Sequence, residues 1–176
     1  MNQSPAKMRL ILLLLLIPLL SLSPNNQGEI KNFHQIDEDL YRSAQPSKSE
    51  MKWAEEKGIK TIINLRNVID DKQEIKGTNL KQIRIPLRAK KLTYDDIVVV
   101  LSAIEAAEKP VLIHCLHGSD RTGCMAAAYQ MYKGTDKTTA INTFLDEKYG
   151  YNRKLFPNIL TLLQSIDVKK LRRDIR

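Results

Sequence analysis

The chain is poor in the residues that build disulfide frameworks and metal centres, with two cysteines and three histidines among 176 residues. Two cysteines cannot staple a fold of this size. His114, Cys115 and His117 lie close in sequence, but His34 is the only other histidine, and a closed metal site needs four ligands. Neither a metal nor a cofactor is expected. Aromatic residues make up only 6%, and no aromatic-rich basic stripe accompanies the lysines and arginines, so nucleic acid is not an expected partner. No apolar run reaches the ~20 residues of a membrane span. The longest, LILLLLLIPLL over residues 10–20, is too short for one. No internal repeat and no low-complexity linker follows residue 28. With 43% apolar and 27% charged residues, the chain suits one globular domain with a single sizeable core.

The short apolar run has a context. Lys7 and Arg9 precede it and Ser21-Leu22-Ser23 follow, the plan of a secretory leader. Residues 1–23 are expected to direct export, to a bacterial periplasm or out of the cell. Pro24 hinders cleavage after Ser23, so an uncleaved N-terminal anchor is the alternative, and membrane attachment is expected only in that case. Residues 24–35 read as an N-terminal extension and residues 36–176 as the folded domain. The formal charge is +8, and +6 without Lys7 and Arg9, an excess that suits either anionic partners or a solvated basic surface. The tail VKKLRRDIR reads as the polar face and cationic end of a helix.

Local signals divide the rest into strands and helices. Ser47-Lys48-Ser49-Glu50 is a capping box that opens a helix through Lys57, closed by Gly58. Thr93 and Asp96 form a second box, starting a helix to about Glu108. Helices are also expected over Thr122–Lys133, Asp136–Lys148 and Pro157–Arg172. Extended runs fall at Ile36–Tyr41, Ile59–Leu65 and Leu80–Leu87, with a short helix or loop over 70–78. Pro110–His114, PVLIH, has the unbroken apolar character of a strand buried on both faces. Trp53 is expected to pack its helix on the sheet. Alternating strands and helices imply an α/β fold, a mainly parallel central sheet of four or five strands with helices on both faces. Ligands should gather at the C-terminal ends of the strands.

One strand end carries the chemistry. After His114 the chain reads CLHGSDRTG, residues 115–123, a polar and small-residue loop before a helix. Such a loop turns backbone N–H groups inward and adds the positive helix end, making an anion site of phosphate size. A cysteine there, beside Arg121, is pushed toward its nucleophilic thiolate form, directly under the bound phosphate. The spacing His-Cys-x5-Arg-Thr-Gly, in His114, Cys115, Arg121, Thr122 and Gly123, resembles the signature of the cysteine-based protein phosphatases. Leu40-Tyr41-Arg42-Ser43-Ala44-Gln45-Pro46 is similar to a stretch of their atypical dual-specificity branch, which has bacterial members. The resemblance runs over most of the chain. It implies a dual-specificity-phosphatase-like fold and metal-free hydrolysis of a phosphate monoester through a phosphocysteine. The implied partner is a phosphorylated protein or a small phosphomonoester.

Roles follow from the chemistry. Cys115 attacks phosphorus, and Arg121 holds two phosphate oxygens in a bidentate fork that lysine could not copy. The amides of Leu116, His117, Gly118, Ser119, Asp120 and Arg121 take the remaining charge, with Gly118 allowing the tight turn. Thr122 donates to the departing thiolate, and His114 orients the loop. The proton donor departs from the family pattern, which places an aspartate roughly thirty residues before the cysteine. Here that region reads IRIPLRAKK, without a carboxylate. Asp120, directly before the signature arginine as in myotubularins and some bacterial tyrosine phosphatases, is favoured. Asp95, beside Asp96 in the first turn of the Thr93-capped helix, is the alternative.

Arg66, Arg88, Lys90 and Lys91 follow strands at the same edge, either recruiting an acidic substrate or simply solvated. Cys124 reads as a small buried hydrophobe; a disulfide to Cys115 would have to span from a strand end to a helix. Three other readings stay open at this point. An inositol-phosphate or phosphoinositide phosphatase is disfavoured by the lack of lysine and arginine at Leu116, His117, Ser119 and Asp120. A rhodanese-like sulfur transferase usually has a shorter loop, and a catalytically dead anion-binding module is supported only by the displaced acid.

Overall fold

The computed structural model describes residues 29–175. The leader expected over residues 1–23 lies outside them. Side-chain alternation in two central strands sets the architecture. β3 (Thr61–Asn64) and β5 (Val111–His114) pair in parallel, and every residue of both is buried. Ile62 and Leu112, which are partners in the register, face one side of the sheet. There α1 (Lys48–Glu56) packs Met51 and Ala54 against them, with Ile30 and Ile59. Ile63, Val111 and Ile113 face the other side. That side is covered by α2 (Tyr94–Ala106), α3 (Arg121–Lys133), α4 (Lys137–Leu145), α5 (Pro157–Ser165) and α6 (Val168–Asp174).

β2 (Leu40–Ser43) runs parallel to β5, and β4 (Lys81–Arg84) parallel to β3. Only β1 (His34–Gln35), beside β2, is antiparallel. The order β1-β2-β5-β3-β4 gives the expected α/β fold with a mainly parallel five-stranded sheet. All four parallel strands therefore end at one edge, and the segments that follow Ser43, Asn64, Arg84 and His114 converge there. α3 leaves that edge through the middle of the helical layer. Its residues from Thr122 to Tyr129 are all buried, and the small side chains of Ala126, Ala127 and Ala128 suit a helix surrounded on every side.

Both capping boxes form, at Ser47 with Glu50 and at Thr93 with Asp96. Elsewhere side-chain oxygens override the expected bounds. The run expected as one strand over Ile36–Tyr41 is broken by Asp37, whose Oδ1 accepts from the amides of Asp39 (3.0 Å) and Leu40 (2.9 Å) and closes a turn between β1 and β2. The last helix is likewise two. Asp167 accepts from the amides of Lys169 and Lys170 and restarts the chain as α6. The segment 70–78 is a series of turns without a helix. Residues 29–35, set apart from sequence as an extension, are carried into the fold: Ile30 is buried and β1 joins the sheet. Trp53 is half-buried and meets Phe33 edge-on at 5.0 Å.

Candidate active site

The loop between β5 and α3, residues 115–120, is shaped by where its carbonyls go. Four in succession are bound on the outside. Cys115 O lies 3.2 Å from His114 Nδ1, and Leu116 O accepts from the Gln45 amide at 3.2 Å. His117 O accepts from Asn32 Nδ2 (3.1 Å) and Gly118 O from Arg42 Nη2 (2.6 Å). Peptide planes are rigid, so tying the carbonyls outward turns the amides inward. Among the described residues, the N–H groups of residues 116–120 donate to no protein acceptor. A row of unpaired amides above the first turn of a helix is an anion cradle. Gly118, at φ +74°, is required: a Cβ there would lie 2.6 Å from the backbone of Ser43 and Ala44.

Cys115 sits at the floor of this cradle, 2% exposed. Two arginines flank it. Arg121 Nη1 donates to Leu65 O and Leu87 O, both at 3.3 Å, which fixes the guanidinium beyond the ends of β3 and β4. Its Nε and Nη2 make no bond to described residues, and Arg121 lines the cavity beside the loop, so two of its nitrogens are left for an anion there. Arg42 lies behind the loop, stacked on the Tyr149 ring at 4.4 Å. Burial pulls its guanidinium down to about 10, and the nearby Tyr149 and Cys115 oppose that fall. It still carries its charge at neutral pH.

His114 is held from below. Its Nε2 lies 2.8 Å from Asp71 Oδ2, with both side chains fully buried. Both ring nitrogens therefore face oxygen atoms, which fixes the orientation of the ring. Asp71 Oδ1 accepts from Gln45 Nε2 (2.8 Å), and Gln45 Oε1 accepts from Arg66 Nη1 (3.0 Å). Arg66 is thus built into the support of the loop, whereas Arg88, Lys90 and Lys91 are exposed.

The two candidate acids part company. Asp120 lines a cavity of about 300 Å³ with Leu116, His117, Ser119 and Arg121. Its Oδ1 accepts from the Asn152 amide at 2.9 Å. Asp95 is exposed on the first turn of α2 and does not line that cavity. Asp96 is occupied by its bonds to Thr93. Thr122 Oγ1 is buried without a partner among the described residues. Ser119 is nearly buried, its Oγ 3.4 Å from His117 O. Cys115 and Cys124 are both free thiols. Cys124 is fully enclosed, and burial, then the charge of Asp96, push its thiol up to about 12, as suits a packing residue.

Sequence reasoning did not find Asn32, Arg42, Asp71 or Gln45 as parts of the site. Arg42 and Gln45 stood in a stretch noted only for its resemblance. Asp71 and Asn32 carry no local signal, because each meets the loop only through the fold.

The comparisons with known proteins agree with this geometry. The family model described as a DSP-PTPase phosphatase fused to NAD+ kinase matches residues 20–154. The dual specificity protein phosphatase TpbA of Pseudomonas aeruginosa is 30% identical over 122 residues, covering 68% of this chain and 56% of that protein. The chain thus spans about half the length of the curated relatives it matches. The crystal structure of TpbA superposes with a TM-score of 0.76 at 27% identity, covering 82% of this chain and 91% of that one. A cysteine-to-serine variant of TpbA in complex with pTyr gives 0.75 at 26%, covering 82% and 90%. The catalytic core of a PP-IP phosphatase from S. cerevisiae gives 0.71 at 20%, covering 82% and 90%, a likeness of fold. A family model that covers most of the described chain, joined to the loop geometry, leads to one conclusion: the chain belongs to the DSP-PTPase phosphatases.

Proposed function

We propose that the chain hydrolyses phosphate monoesters through a phosphocysteine, and that its substrates are phosphotyrosine-bearing proteins. The observation that carries this is the cradle: the unpaired amides of residues 116–120 follow Cys115 directly in the loop, and Arg121, with two nitrogens unbonded among the described residues, closes it. In the first step Cys115 Sγ attacks phosphorus, the S–P bond forms, and the bond to the tyrosyl oxygen breaks. Arg121 and the loop amides hold the equatorial oxygens through the transition state. Asp120 gives the leaving oxygen its proton; one of its oxygens holds the Asn152 amide and the other is left for this transfer. In the second step water attacks phosphorus, Asp120 takes its proton, and the S–P bond breaks to release phosphate and the thiolate. The buried Thr122 hydroxyl is suited to donate to that thiolate. Binding of pTyr by the TpbA variant supports an aryl phosphate as the substrate group.

No step uses a metal ion. The protein should turn over an artificial aryl phosphate in the presence of a chelator and be blocked by vanadate. Cys115→Ser should abolish turnover and keep phosphate-analogue binding. Dependence on added divalent metal, or substantial activity in Cys115→Ser, would contradict the mechanism.

The N-terminal segment extends the proposal to location. Residues 1–23 carry the composition of an export leader, which supports a location in a periplasm or outside the cell. N-terminal sequencing of the exported protein distinguishes cleavage near Ser23 from an uncleaved anchor. Recovery of the whole chain in the cytosol, starting at Met1, would refute export.

A further inference from the structure

Resting on the phosphatase reading above, a second feature of the mouth bears on what the substrate carries beside its phosphate. The cavity above Arg121 is lined on its outer side by Ala89, Leu116, Leu155 and Phe156, and Leu116 and Leu155 are 44% and 50% exposed. Cations bracket this apolar lining. Arg88, Lys90 and Lys91 surround Ala89 on the segment after β4. Arg153 and Lys154 stand between Asn152 and Leu155 on the facing wall, and Asn158 Nδ2 donates to Ala89 O at 2.8 Å, joining the two walls. All five are exposed. Among the described residues none of them forms an ion pair, whereas Lys81, Lys109, Lys133 and Lys170 elsewhere all do.

A groove of 370 Å³ continues from the mouth across Gly150 and Asn152 to Arg153 and Lys154, with Glu147 the one carboxylate along it. The mouth itself has only the Asp120 carboxylate, already bonded to Asn152. Apolar side chains near the phosphate and cations farther out match a ligand with an aromatic body and outlying carboxylates. A ring bearing phosphate at every carbon would instead press charge against Leu116, Leu155 and Phe156, which is costly. We propose that this rim selects phosphotyrosine flanked by acidic residues, the ring on the apolar lining and the flanking carboxylates on Arg88, Lys90 and Lys91 on one wall and on Arg153 and Lys154 on the other.

Steady-state kinetics on three phosphotyrosine peptides, with acidic, glutamine or lysine flanks, test this. Exposed ion pairs are weak singly, but two or three together give a ratio of about five- to tenfold in kcat/KM between acidic and glutamine peptides at low salt. That ratio should shrink toward unity as salt screens the charges. The double reversals K90E/K91E and R153E/K154E should each lower it, and combined they should favour the lysine-flanked peptide. Equal kcat/KM for the three peptides, or a ratio indifferent to both reversals, overturns the proposal. So does a finding that the reversals cut hydrolysis of an inositol polyphosphate and leave the peptide ratios in place. Aryl-phosphate turnover by the unsubstituted protein, measured alongside, separates these failures from failure of the phosphatase reading itself.

Discussion

Asp71 and His114 meet in the interior with neither side chain exposed, and their pairing ties the loop above them to pH. Burial pushes the Asp71 carboxyl up, but the hydrogen bond and charge of His114, with bonds from Gln45 and Asn64, outweigh it and hold the group below its ordinary range. The unfolded chain thus binds a proton where the folded chain does not. The stability this contributes is complete above the ordinary carboxylate range of about pH 4, and is lost as pH falls through the lower folded value. Asp71→Asn should cost about 3–5 kcal/mol, the usual penalty for removing one partner of a buried pair. It should also flatten the acid limb of stability. Denaturant midpoints across the acid range check this, and an unchanged acid limb in the variant would count against the pairing.

The acid assignment belongs to the same scale. A tyrosyl oxygen must gain a proton as it leaves, whereas an activated aryl oxygen needs little help. Asp120→Asn should depress kcat on a phosphotyrosine peptide by about 10²–10⁴-fold and far less on an activated aryl phosphate. Asp95→Asn should leave the leaving-group dependence as it is. The reverse pattern would move the acid to α2. What could be read at this scale was what lies within the signature: Cys115, Arg121 and Gly118 are ordered by spacing a few residues long. Asp71, Arg42 and Asn32 reach the loop across 43, 76 and 85 residues, and no short pattern records such distances.

Among the elements, those with a local cause were legible. Capping boxes at Ser47 and Thr93 start α1 and α2 where the sequence puts them, because cap and helix are adjacent. Asp37 and Asp167 misled the strand and helix bounds by the same kind of chemistry, a side-chain oxygen taking backbone amides in the middle of a run of one character. The loop of residues 115–120 is an element held almost wholly by its neighbours. Asn32, at φ +57°, bridges His117 O and Tyr149 O with a single amide and takes His34 Nε2 on its own Oδ1 at 3.1 Å. Asn32→Ala should destabilise the fold by about 0.5–1.5 kcal/mol through the hydrogen bonds it removes. It should weaken vanadate binding as well, because His117 O is no longer turned outward. Loss of stability with vanadate affinity unchanged would show that the bridge only packs the loop and does not shape it.

For the whole molecule, one sheet edge organises everything described. The parallel strands bring four segments to a single end, β5 delivers the thiol, β3 and β4 deliver the carbonyls that fix Arg121, and β2 delivers Arg42 beneath the loop. The fold class was readable because buried strands and capped helices alternate along the chain. The place of residues 29–35 was not, since β1 has two residues and is made by pairing with β2. Covalent phosphate on Cys115 is the most direct measurement of how these parts work together. Acid quenching during turnover of an aryl phosphate, followed by peptide mass analysis, should find phosphate on the peptide that contains Cys115, and none there in Cys115→Ser. Turnover without covalent phosphate at Cys115, or phosphate carried by another residue, would contradict it.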